Sequence, residues 1–293
     1  MGALSFAGSH GGGMAHGATL KAVATAVPGL SWSAAKLVFE TSDGSAVPAG
    51  RMEVGPNGNV AIGTTYDTGA NRLVVSGSNA LFTNPSGGFQ AAVNKQLAAN
   101  DASFVFQSGF SARALFGLLG NDDFTFKVSA DGAAYKTVMV LDRTHGTPKF
   151  PEASKFSAYV NVDRYVAANA WTNVGCNSTR HNDQADFDAA TGRFSAPVAG
   201  IYRFHGRYRF KANTSVPSQI LLRFSKNGSV AATAADQPFA NSSGAVVSLG
   251  TCVDLEADMK LAAGDTVEMQ AFFTGFDGYV EANTNSFEGS LIP

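Results

Sequence analysis

DFDAATGRFSAPVAGIYRF, residues 186–204, is the stretch whose reading decides the fold of this chain. It reads as a strand ending in Phe187, a tight turn at Ala190, Thr191 and Gly192, a short strand at Arg193–Ser195, a corner from Pro197 to Gly200, and then a long strand. Beyond the corner the polarity alternates without a break. Tyr202, Phe204, Gly206, Tyr208 and Phe210 point one way, and Arg203, His205, Arg207 and Arg209 point the other. Such a strand buries one face and turns a row of cations outward.

Three stretches further along carry related signals in a fixed order. Leu222-Arg223-Phe224-Ser225-Lys226-Asn227-Gly228 ends in a hairpin turn, residues 259–267 (MKLAAGDTV) hold a Gly-Asp turn, and Ser286-Phe287-Glu288-Gly289-Ser290-Leu291-Ile292 forms a final strand close to Pro293. Together with residues 186–204 they resemble the signature of the globular head of complement C1q and the tumour-necrosis-factor-like trimers. The resemblance covers about half of the chain and implies a C-terminal jelly roll, a β-sandwich that assembles as a homotrimer. It offers no enzymatic chemistry.

The totals agree with an all-β protein. In 293 residues there are 32 glycines and 22 phenylalanines, and only 15% of residues are charged, a composition of many turns and pleated, half-buried strands. A net charge of −2 excludes a generally basic protein built around nucleic acid. No run of eighteen apolar residues is present, so no membrane insertion is expected. The N-terminus lacks a basic region followed by an apolar core, and no secretory signal is read there. Cys176 and Cys252 do not make a disulfide framework and read as two small buried apolar residues.

Three domains are expected. Residues 1–29, rich in Gly, Ala and Ser with His10 and His16 flanking Gly11-Gly12-Gly13, read as a flexible or partner-ordered attachment arm. From 30 to 150 short strands alternate with turns. Leu37-Val38-Phe39-Glu40 and Met52-Glu53-Val54 read as strands, and Pro56-Asn57-Gly58-Asn59 as a hairpin turn, since Asn and Gly tolerate positive φ. GNVAIGTT (58–65), continued by NRLVVSGS (71–78), looks like a repeat of bacteriophage tail fibres, in which three chains intertwine to complete a core that the short strands cannot bury alone. Residues 79–150, with matching pieces that begin at Asn71-Arg72-Leu73 and include Asn94-Lys95, the run from Phe106 to Arg113 and Lys127-Val128-Ser129-Ala130-Asp131-Gly132, resemble the C-terminal portion of a domain of unknown function from alphaproteobacterial phages, prophages and gene-transfer-agent clusters. Residues 102–110 and 124–128 alternate like strands, and 89–99 show a weak helical period. Residues 147–151 (TPKFP) read as a stiff linker, the residue before each proline being held extended. The jelly roll then occupies residues 152–293.

No motif for catalysis stands out. The five histidines match no zinc spacing, and neither a nucleophile elbow nor a phosphate loop occurs. Asp183, Asp186 and Asp188 imitate the paired carboxylates of a glycosidase, but read better as solvated acids beside a turn. Asn121-Asp122-Asp123 reads as a turn, no cofactor is expected, and a structural calcium is left unassigned. Two stretches are candidate glycan-binding sites. Arg203, His205, Arg207 and Arg209 line one strand face at intervals of about 6.8 Å. That is a docking row for acidic polysaccharide or lipopolysaccharide phosphate, because guanidinium binds both bidentately. Asp254, Glu256 and Asp258 alternate at the same period and are the alternative partners of the row. The second candidate is Phe276, Asp277 and Tyr279 in a glycine-hinged loop before the last strand, joined by Trp171; aromatic rings stack on sugar faces and a carboxylate accepts hydroxyl bonds.

The reading is an elongated trimeric β fibre with a C-terminal jelly roll, carried on the virion of a phage or gene transfer agent. It is made in the host cytoplasm, attached to other virion proteins through the N-terminal arm, and recognises host surface polysaccharide. The alternative is a decoration or baseplate fibre whose jelly roll only registers and caps the trimer.

Overall fold

The computed structural model describes residues 2–10, 13–27, 33–45, 47–233, 237–238 and 252–292. Gly11, Gly12 and residues 28–29 of the expected arm lie outside them. Every regular element among the described residues is a strand, and the chain divides into two compact units, residues 1–91 and 92–293. Among the described residues no helix is long and apolar enough to cross a membrane.

In the first unit β1 (Ala3–His10), β2 (Gly13–Ala24), β3 (Ala35–Thr41), β4 (Ala49–Val54), β5 (Val60–Ile62) and β6 (Leu73–Val75) lie side by side in chain order, antiparallel except for the parallel β5–β6 pair. The Pro-Asn-Gly-Asn turn joins β4 to β5 as expected, with Gly58 at φ +80 and the Gly55 amide donating to the Asn59 carbonyl at 2.8 Å. The segment expected as a flexible or partner-ordered arm instead supplies the β1–β2 hairpin, whose backbone groups pair along the full length of β1. That hairpin has little core of its own: Leu4, Phe6 and Met14 are exposed, as are Leu37, Phe39, Ile62, Leu73 and Val75 along the same sheet.

The stretch of weak helical period, 89–99, has no regular structure, and the second unit opens without any up to residue 101. There follows a sheet of β7 (Ala102–Ser108), β8 (Ser111–Leu118), β9 (Phe124–Val128), β10 (Lys136–Leu141) and β11 (Pro148–Lys149). Phe104, Phe116 and Phe126 stand in register across three strands, and with Phe106 and Phe124 they pave one face with ring centroids 5.4–6.0 Å apart. The stretch read as a linker folds back as β11 on the edge of this sheet, where a proline costs no ladder bond. Asp142 fixes the return by accepting from Lys149 Nζ at 2.7 Å.

The remainder is a sandwich of two antiparallel sheets, built from β12 (Lys155–Tyr159), β13 (Arg164–Val166), β14 (Thr172–Asn173), β15 (Ser178–His181), β16 (Phe187–Asp188), β17 (Arg193–Ser195), β18 (Gly200–Ala212), β19 (Gln219–Lys226), β20 (Ser229–Thr233), β21 (Gln237–Pro238), β22 (Cys252–Leu261), β23 (Thr266–Thr274), β24 (Gly278–Val280) and β25 (Ser286–Ile292). One sheet runs β13-β24-β18-β25-β12-β15, with β22 on the other edge of β18. The second runs β16-β17-β23-β19-β20, with β14 on β23 and β21 on β19.

The alternation read in residues 202–210 sets the core. Tyr202, Phe204, Tyr208 and Phe210 are buried, and the arginines between them face out. Large and small residues interlock across the ladder: Phe204 faces Gly289 and Gly206 faces Phe287. A Cβ on Gly206 would meet Met269 and Phe224 at 2.9 Å, and one on Gly289 would meet Phe156 at 2.5 Å, so both positions require glycine for space. The two buried phenols are satisfied, Tyr202 donating to the Val198 carbonyl and Tyr208 to that of Leu221, each at 2.8 Å. Cys176 belongs to this core, and burial pushes its thiol up to about 12; Cys252 is only half-buried, beside Arg207.

Candidate functional site

The cationic row is built by β18 and received by β22. Arg203 stands opposite Asp258, His205 opposite Glu256, Arg207 opposite Asp254 and Arg209 opposite Cys252, so acids and bases of the same period meet across one ladder. Arg203 engages both oxygens of Asp258, at 2.8 and 3.0 Å, and reaches Glu256 at 3.3 Å. This guanidinium holds the Asp258 carboxyl below its usual range. Arg209 pairs with Glu281 at 3.0 Å. His205 lies between Glu256 of β22 and Glu288 of β25. In that setting Arg207 differs: its side chain contacts the Cys252 sulfur, 3.4 Å from Nη2.

On the same outward face, beyond β25 and β12, β15 contributes Arg180. Its guanidinium lies over the Tyr159 ring at 4.7 Å and donates to Ser157 Oγ at 3.4 Å and to the Asn285 carbonyl at 3.3 Å. Arg180, Arg207 and Arg209 line one open depression of about 530 Å³, rimmed by Asn283, Thr284, Ser286 and Glu288. Sequence reasoning did not single out Arg180. Its strand, Ser178–His181, is short and carries no alternating apolar signal, and only sheet order brings it near β18.

The loop at 275–277 crosses between the two sheets, from β23 to β24; Tyr279, expected in the loop, lies in β24, which stands between the loop and the last strand, β25. Asp277 accepts from Tyr165 Oη at 2.9 Å and from Asn213 Nδ2 at 3.1 Å, and this acceptor pushes the Tyr165 phenol up. Tyr165 and Tyr279 meet edge to face at 5.7 Å, and Phe276 is half exposed. Gly275, at φ +90, donates its amide to Asn169 at 2.9 Å, which ties this loop to the one carrying Trp171.

The ring of Trp171 goes elsewhere. It packs on Phe272 at 5.2 Å and receives the Arg223 guanidinium at 4.1 Å. Phe272 alternates with the buried Ala271 and Phe273, so this pair covers the outward face of the β19–β23 sheet. Arg203, His205, Arg207 and Arg209 are on the outward face of the other sheet. The structure therefore gathers Tyr165, Asp277 and Tyr279 at one end, groups Arg180 with the β18 row, and separates Trp171 from that row by the thickness of the sandwich.

Of the three acids that imitate a glycosidase pair, Asp188 is spent on the fold. Asp188 accepts from the Ala190 amide and Thr191 Oγ1, each at 2.8 Å, closing the turn before β17. Asp122 bonds Lys95 at 2.9 Å and Arg143 at 3.5 Å. Among the described residues no group of three or more His, Cys, Asp or Glu side chains is placed to hold a metal ion.

Residues 155–291 match the family model of the C1q domain. None of the curated proteins compared matches the chain. Among solved structures, the globular domain of a zebrafish complement 1qA protein aligns at 21% identity with a TM-score of 0.36, covering 48% of this chain and 98% of that one. Eiger TNF from S. frugiperda aligns at 10% identity and 0.39, covering 48% and 94%. Murine APRIL aligns at 12% identity and 0.35, covering 48% and 99%.

Proposed function

With a C1q domain at its C-terminus, a kind of domain that typically forms homotrimers and is typically non-enzymatic, we propose that this chain is a homotrimeric fibre or spike protein. In this reading it sits on the virion of a phage or gene transfer agent and recognises host cell-surface polysaccharide through its jelly roll. The observation that carries the reading is the outward face of β18, where guanidinium groups from two separate strands line one open depression with a hydroxyl and amide rim. Cations that bind carboxylate or phosphate bidentately, set among hydroxyl-recognising groups, suit an acidic glycan. The exposed apolar residues of the β1–β6 sheet and the phenylalanine-paved face of β7–β9 support assembly, because neither is buried within one chain.

One observation favours a second reading, in which the jelly roll only registers and caps the trimer of a decoration or baseplate fibre. Arg203 and Arg209, half of the expected docking row, are already neutralised by acids of the same domain.

Fluorescently labelled full-length protein, incubated with alphaproteobacterial cells before and after enzymatic removal of surface polysaccharide, separates the two. Binding that disappears on stripping supports recognition. A trimer that binds no strain overturns it in favour of the registration role.

A further inference from the structure

Four cations were legible in the β18 row, yet the structure divides them by what already satisfies them. Arg203 is held by Asp258 and Glu256, and Arg209 by Glu281. Among the described residues no carboxylate lies within 4.0 Å of Arg207 or of Arg180. Asp254 faces Arg207 across the ladder and attracts it electrostatically, without an ion pair within 4.0 Å. Both guanidinium groups nevertheless border the same depression, one on each side of β25 and β12. Arg207, which donates to a sulfur, and Arg180, which donates to a hydroxyl and a carbonyl and lies over an aromatic ring, each retain guanidinium donors that match a carboxylate.

The rest of the rim narrows the ligand. Asn283, Thr284 and Ser286 offer amide and hydroxyl groups, and Glu288 adds an acceptor that already takes a bond from Ser157 Oγ at 2.9 Å. A bare phosphate or sulfate would meet Glu288 as a like charge. A polyhydroxylated acid would not: its carboxylate reaches the two arginines while a ring hydroxyl donates to Glu288. The volume falls within the roughly 300–1,000 Å³ of small-ligand sites.

We propose that Arg180 and Arg207 form a two-guanidinium clamp for the carboxylate of a uronic-acid residue, with Glu288 and the 283–286 rim reading its hydroxyls. This rests on the polysaccharide-recognition reading above and deepens it by naming the sugar class and the gripping atoms. Arg203 lies outside the depression, and Arg209, which lines it, is held by Glu281 and contributes little.

The test is calorimetric titration of the full-length protein with a galacturonic acid trimer, a neutral galactose trimer and inorganic phosphate, alongside the cell-binding assay. The expected result is saturable binding of the acidic trimer, weakened as salt is raised. It drops at least tenfold in Arg180→Gln and in Arg207→Gln, is partly retained in Arg207→Lys, and changes less than twofold in Arg203→Gln. Thermal melts of each variant confirm the fold, and Arg207→Lys, which keeps the charge without the fork, carries the test if Arg207→Gln melts early. Equal binding of the galactose trimer, tighter binding of phosphate, or a loss in Arg203→Gln as large as in Arg207→Gln overturns the clamp. If the protein binds cells in a polysaccharide-dependent way but ignores the acidic trimer, the clamp fails and the recognition reading stands. If it binds neither, both fail.

Discussion

Gly289 shows most directly how one residue carries the sandwich. It sits in the last strand opposite Phe204, and its missing side chain is the space that the Phe156 and Phe204 rings fill; a Cβ at this position would meet both rings within 2.8 Å. Overpacking a filled core costs about 1–3 kcal/mol, so Gly289→Ala is expected to lower the stability of the C-terminal sandwich by that amount. Chemical denaturation followed by tyrosine and tryptophan fluorescence checks it, and an unchanged midpoint would contradict the interlocking of Gly289 with the two rings. The row of arginines shows a different side of the residue scale. Arg203, Arg207 and Arg209 are equivalent in spacing, and only their neighbours make them unequal: a bidentate acid for one, a thiol for another, a loop glutamate for the third. Exposed contacts of this kind add little to stability, which leaves their chemistry, rather than their energy, as the point of interest.

Among the elements, the hairpin turn of β19 and β20 and the turn that carries the chain from β22 in one sheet to β23 in the other meet and explain a matched pair of sequence signals. Asn227 and Gly228, at φ +50 and +81, make the two-residue turn between β19 and β20. Asp265, in the Gly-Asp turn between β22 and β23, accepts from Lys226 Nζ at 2.8 Å, Asn227 Nδ2 at 2.7 Å and the Ala262 amide at 2.8 Å. These donors, Lys226 first, hold its carboxyl down from 3.8 to about 2. A depressed carboxyl stabilises the fold fully above its unfolded value and loses that contribution as pH falls through the folded one. Asp265→Ala is therefore expected to melt below the parent at pH 7, with the gap closing between about pH 4 and pH 2. A gap of constant size across that window, measured by circular dichroism melts, would show that Asp265 acts through something other than its charge. The alternation of β18, the PNGN turn and these two turns were readable because each is a local rule of backbone geometry. The β1–β2 hairpin and β11 were not: a Gly-rich arm and a Pro-flanked linker have weak strand propensity, and pairing with a neighbour overrides it.

For the molecule as a whole, the balance between buried and unburied apolar surface decides what can be expected of the assembly. The sandwich encloses a core of its own, with Tyr202, Tyr208, Phe156, Phe194, Phe204, Phe224, Phe273 and Phe287 fully buried. The β7–β11 sheet does not: Phe104 and Phe106 are about half exposed, as is Phe150. On the trimeric reading the chain is expected to sediment at three times its 30.4 kDa mass, and Phe106→Asp to shift it toward lower mass without altering the melt of the C-terminal sandwich. A wild-type chain that sediments as a monomer would sink the trimeric reading.

The sequence by itself determined the β class, the alternation that buries Tyr202, Phe204 and Tyr208, and the turns, because strand faces and positive-φ turns are set by residues a few positions apart. It also showed that acids of β22 share the period of the β18 cations. Only the tertiary structure decided which of those cations are spent. It set Arg180, far from β18 in the chain, on the same depression as Arg207, and it turned Trp171 to the opposite outward face. Sheet order and register come from long-range packing, which no short-range pattern contains, and they alone determine which charges become neighbours.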